Sequence, residues 1–190
     1  MMPVATLVTT FNILLFRAGP QDMPYAPALT RLLLTLAAFS NLLLFALLLP
    51  PLPAALMAVA NVLGVVLATE MILRTRGFTN RVSQTLSALL AVSTLLNLLM
   101  LIPAAQLAPH LAELAKHPEL LKQPDKLNLP QSAVLGMDAI NLWAFAVSAS
   151  IYRQAAGTRV LGGVGFALLA GMLVLMLVFF VAMLASSLFG

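Results

Sequence analysis

The 190-residue chain is 62% hydrophobic and only 8% charged, with a net charge of +4 and no cysteine. A soluble domain carries roughly 25% charged residues, so this composition cannot cover a water-facing surface. The lack of cysteine excludes disulfides, thiolate metal sites and cysteine nucleophiles.

The first sixteen residues hold no basic n-region, and no small-x-small cleavage site follows them, so no cleavable signal peptide is expected. Residues 4–16 are apolar but reach only about 20 Å as a helix, too short to cross a bilayer. Leu7, Phe11 and Leu14 fall on one face, with Thr6, Thr9 and Thr10 roughly opposite. That pattern predicts a helix lying in the membrane interface. Arg17-Ala18-Gly19-Pro20 ends it. The lead that follows, RAGPQDMPYAPALTR over 17–31, is proline-rich and holds an extended crossing. Arg17, Asp22 and Tyr25 mark it as a candidate cytoplasmic docking segment, with a stiff linker as the competing reading. An Arg17–Asp22 pair at the surface would be worth little.

Five proline-free apolar runs then fill most of the chain, at about 31–49, 54–73, 82–102, 132–152 and 160–188. A helix of about 20 residues reaches about 30 Å, the thickness of the hydrocarbon core. All twelve prolines lie outside these runs and mark the connections. Pro50-Pro51-Leu52-Pro53 is a tight turn between runs one and two. Arg17 and Arg31 precede the first run, Arg74, Arg76 and Arg81 separate the second and third, and Arg153 and Arg159 separate the fourth and fifth. The intervening connections have no arginine. The positive-inside rule therefore places the N-terminus in the cytoplasm and the C-terminus outside. The arginines meet anionic headgroups and are not a nucleic-acid footprint.

Residues 103–131 form an external loop in which Lys116, Lys122 and Lys126 balance Glu113, Glu119 and Asp125. His110, Glu113 and His117 share a helical face there. Pro118 and the absence of HExxH spacing argue against a metal set, and a solvated amphipathic cap is the reading adopted. The last run is long enough that it must tilt or project. Its Gly163, Ala167 and Gly171 form a small-xxx-small stripe that suits close helix packing, inside the bundle or in a homo-oligomer. The methionines of that run, Met172, Met176 and Met183, have no Cys or His beside them and are read as apolar filler rather than a copper site. GGVG at 162–165 lacks the lysine or strand context of a phosphate loop. No cofactor is expected.

Ionisable residues inside a bilayer are costly and default to a functional hypothesis. Glu70 and Arg74 are spaced for an ion pair near the inner end of the second run. Asp138 lies about 9 Å below the outer end of the fourth run, with Asn141 one turn further on the same face. Asn61 and Asn97 sit at comparable depth in the second and third runs, and Asn41 marks the middle of the first. Asn61, Asn97, Asp138 and Asn141 are thus a candidate intramembrane polar cluster. It either ties helices together or lines an outward cavity in which Asp138 accepts a proton or cation. No second carboxylate or histidine is at hand in that half of the membrane for acid–base chemistry.

Five spans, a cytoplasmic N-terminus, an external C-terminus and the lead RAGPQDMPYAP resemble the Yip1-like membrane proteins, small proteobacterial members among them. The Asp-Leu-Tyr-Gly-Pro box of the eukaryotic members is absent, and Gly19-Pro20 is only a fragment of it. The resemblance implies a bundle without catalytic chemistry that acts through protein or lipid contacts. The expectation is a single all-α domain over 1–190: a polytopic bundle of five transmembrane helices plus an interfacial N-terminal helix, in a bacterial inner membrane. Its expected role is that of an accessory or scaffold protein. A small transporter or channel component built around Asp138 is the alternative.

Overall fold

A computed structural model describes residues 2–117 and 129–189. Among the described residues the chain forms six α-helices and no strand: α1 (Met2–Leu14), α2 (Pro27–Phe45), α3 (Pro51–Thr75), α4 (Val82–Lys116), α5 (Gln131–Ala155) and α6 (Val160–Phe189). Helices α2 to α6 are each long and apolar enough to cross a membrane, and they define a multi-pass membrane protein.

Prolines open these helices more often than they end them. Pro27 starts α2, Pro51 and Pro53 sit in the first turn of α3, and Pro130 caps α5. First-turn N–H groups have no partner within the helix, so proline loses nothing there. Two turns at the arginine-bearing end depend on glycine. Gly77 and Gly157 adopt φ of 76° and 60°. Phe78 N then reaches Leu73 O at 2.8 Å, and Thr158 N reaches Arg153 O at 3.0 Å, which caps α3 and α5 in the same manner.

The expected loop beginning at 103 requires correction. Helix α4 runs through Pro103 and Pro109 to Lys116, 35 residues in all. A proline inside a helix removes one hydrogen bond and costs about 3 kcal/mol. Packing offsets this at Pro103, whose ring is buried against α5 beside Gly136, and again one turn later at buried Leu107. At about 52 Å, α4 outreaches the hydrocarbon core and must project or tilt. His110 and Glu113 therefore sit on its last turns, and His117 ends it. The remainder of the expected external segment, 118–128 with Lys122, Asp125 and Lys126, lies outside the described residues.

The five long helices close a ring. Around it, α2 packs on α4, α4 on α5, α5 on α6, α6 on α3, and α3 back on α2. Helix α4 is the most enclosed: every residue from Thr85 to Val92 is buried, so it is covered on all sides. Small residues set the spacing. A methyl added at Gly64 would stand 3.0 Å from Val174 Cα on α6. One added at Gly163 would overlap the Ala149 carbonyl oxygen of α5 and stand 2.6 Å from Arg153 Cβ. Ala167 is buried as well, whereas Gly171 opens to the outside. Two members of the glycine stripe thus pack within the chain.

Helix α1 rests on α4 and α5 with its threonines inward. Thr6 and Thr10 are buried together with Ile13 and Leu14, while Val4, Leu7, Val8 and Phe11 are exposed. The expected two faces exist, but the polar one meets protein rather than water. Thr10 satisfies its hydroxyl by donating to Thr6 O at 2.7 Å. Leu14, placed by spacing with the outer face, is buried instead. Phe16 ends the helix at φ 59°, a left-handed conformation rare for a bulky residue. Its ring meets Trp143 of α5 edge to face, with centroids 5.3 Å apart.

Candidate functional site

The four residues expected to share one depth do not form one cluster. Asn97 on α4 donates from Nδ2 to Ser40 Oγ on α2 at 3.2 Å. Ser40 is buried and in turn donates to Ala37 O at 3.0 Å. Asn61 is half-buried on α3. Asp138 and Asn141 are exposed on the outside of α5, next to Leu142 at 70% exposure. No hydrogen bond or ion pair among the described residues joins Asn61, Asn97, Asp138 and Asn141. The ring order explains this, since α4 presents Asn97 to α2, whereas α5 turns Val147, Ile151 and Tyr152 inward and Asp138 outward.

The buried polar groups instead bond either a carbonyl of their own helix or a hydroxyl of another. Asn41 donates to Ala37 O at 2.8 Å within α2. The Tyr152 hydroxyl, on a side chain only 2% exposed, lies 2.9 Å from Thr69 Oγ1. That bond links α5 to α3 across the ring. Thr30 Oγ1 lies 2.9 Å from Ser87 Oγ and 3.2 Å from Ser83 Oγ, which ties α2 to α4. Such bonds in apolar surroundings contribute about 0.6–2 kcal/mol each. The bonds between hydroxyls were not legible beforehand, because hydroxyls are ordinary in membrane helices and these partners are distant in sequence.

Among the described residues, polar groups concentrate most at the arginine-bearing end. Glu70 Oε2 and Arg74 Nη2 are 3.2 Å apart on α3. With those side chains 37% and 66% exposed, the pair contributes little to stability. Arg81 lies over the Phe78 ring at 4.6 Å and donates from Nη1 to Ala155 O at 3.0 Å, which clamps the start of α4 to the end of α5.

The lead segment is strapped beneath this clamp. Asp22 accepts from Gly19 N at 2.8 Å rather than from Arg17, and the two form a short 3-10 turn over Pro20–Asp22. Gln84 Nε2 donates to Met23 O at 3.0 Å and Gln21 O at 3.3 Å, and Gln21 Nε2 donates to Gln154 Oε1 at 3.2 Å. Met23 is 1% exposed. Arg17 and Tyr25 remain outside. The segment is therefore an ordered strap whose glutamine partners on α4 and α5 the sequence did not single out.

Two of the hollows at this end are lined by several polar side chains. One of about 380 Å³ is lined by Gln21, Arg81, Gln84, Thr85 and Gln154. The other, about 490 Å³, lies between α2, α3 and the start of α4, with Arg31, Arg74, Thr30, Thr79 and Ser83 around it and Leu86 in its wall. No three His, Asp or Glu side chains among the described residues are grouped to hold a metal.

Compared with protein families, curated proteins and solved structures, the chain matches none.

Proposed function

We propose that this chain is an accessory or scaffold protein of a bacterial inner membrane, acting through protein and lipid contacts without catalysis. Its arginine-bearing end and N-terminus face the cytoplasm, following the charge bias of the connections. The observation that carries the reading is the disposition of the polar groups. Of those inside the ring, Thr69, Tyr152, Ser87 and Ser40 are bonded to side chains of other helices and the rest to carbonyls of their own, while Asp138 and Asn141 stand on the outer face of α5. A carboxylate and an amide one turn apart on an otherwise apolar face suit a neighbouring helix or headgroup better than a conduit. The topological resemblance to Yip1-like proteins agrees with such a role.

A photoreactive side chain at Leu142, 70% exposed, tests the idea in native membranes against one at Val147, 0% exposed. Discrete protein or lipid adducts at Leu142 alone support it. Cation or proton flux through the purified protein in vesicles, abolished by Asp138→Asn, with no adduct at Leu142, refutes it in favour of transport.

A further inference from the structure

We infer that the hollow between α2, α3 and α4 is a headgroup site for an anionic phospholipid, with the phosphodiester held between Arg31 and Arg74. The inference specifies the lipid side of the proposed function and rests on that reading. Its lining is amphiphilic. Two guanidinium groups from different helices and the hydroxyls of Thr79 and Ser83 stand around the space, and Val82 and Leu86 continue it as apolar wall. Guanidinium groups match phosphate oxygens with paired, planar donors. The hydroxyls add further donors, and the start of α4 adds the positive end of a 35-residue helix.

Charge selects the occupant. Arg31 is exposed and takes part in no ion pair among the described residues. Arg74 is committed to Glu70 across 3.2 Å on the surface of α3, a contact weak enough for a phosphate to compete with. The hollow of about 490 Å³ exceeds what a phosphate alone needs and leaves room for the glycerol portion against Leu86. A zwitterionic lipid would bring its own cation into the same basic space. A soluble phosphate would leave the apolar wall unused. One bound lipid would join the ends of three helices, two of which already meet through Thr30 and Ser83.

The test is retention of phosphatidylglycerol by the full-length protein in a neutral detergent, read by native mass spectrometry, with phosphatidylcholine as the comparison lipid. With each arginine near an anionic surface contributing a factor of about five, the double variant Arg31→Gln/Arg74→Gln is expected to weaken retention about twenty-five-fold. Glu70→Gln releases Arg74 and is expected to tighten it about fivefold. This gain cannot come from misfolding. Arg159→Gln removes one positive charge away from the hollow and should leave retention within twofold. Equal losses in the Arg159 variant and the double variant, equal retention of the two lipids, or displacement by millimolar inorganic phosphate would each overturn the assignment. The adducts at Leu142 are read on α5, which does not line the hollow, so failure of the general reading and failure of this site are separable.

Discussion

Gly163→Ala should damage the fold even though Gly→Ala usually stabilises a helix by about 0.5–1 kcal/mol. The added methyl would overlap the Ala149 carbonyl and stand 2.6 Å from Arg153 Cβ and 3.1 Å from Arg153 Cα. Carbon atoms pack at about 3.5–4.0 Å, so α5 and α6 must part by roughly 1 Å at this crossing. A gap of about 0.5–1 Å forfeits about a quarter to a half of each dispersion contact along the seam. Overpacking of this kind costs about 1–3 kcal/mol. Two of the three atoms met are backbone or its attached Cα, which cannot rotate away, so the upper half of that range applies. After subtracting the propensity gain, the net loss is about 2 kcal/mol. Gly171→Ala on the same helix is the internal control, because a methyl there meets nothing within 4 Å. It should be neutral or stabilise by up to about 1 kcal/mol. Reversible unfolding of the purified protein in mixed micelles, followed by circular dichroism, measures both. Equal shifts in the two variants would refute the claim that Gly163 sets the α5–α6 distance.

The glycine stripe shows how far the sequence carried and where it stopped. The spacing of Gly163, Ala167 and Gly171 announces close packing, but a periodic pattern contains no address. The structure directs Gly163 to α5, buries Ala167 and leaves Gly171 outside. The Glu70–Arg74 contact, by contrast, could be read directly, because an i, i+4 pair needs only a helix.

Two further outcomes are expected. Tyr152→Phe and Thr69→Val each remove one side of the 2.9 Å bond across the ring. Each should cost about 1 kcal/mol, and a double-mutant cycle in the same unfolding assay should return a coupling of similar size, whereas additive losses would show that the bond contributes nothing. Gln84→Ala frees Gln21 and Met23 carbonyls from the amide that holds them. Loss of about 1.4 kcal/mol would quicken hydrogen exchange at the Asp22 and Met23 amides about tenfold, with unchanged exchange indicating that burial of Met23 alone fastens the strap.

Some features of this protein were determined by the sequence itself. The number of crossings follows from runs of apolar residues long enough to span hydrocarbon, a local property that needs no partner. The sidedness proposed for the connections rests on where Arg74, Arg76, Arg81, Arg153 and Arg159 fall along the chain. Even α1 was legible as two faces. Only the tertiary structure decided which elements touch. Lipid is as apolar as leucine, so hydrophobicity cannot distinguish the face of a membrane helix that meets protein from the face that meets acyl chains. The ring order of α2, α4, α5, α6 and α3, the inward turn of Tyr152 and the outward turn of Asp138 depend on shape and on hydrogen bonds between distant residues. For the same reason Pro103 reads as a helix end by local rules, yet lies inside α4, where burial against α5 outweighs one missing bond.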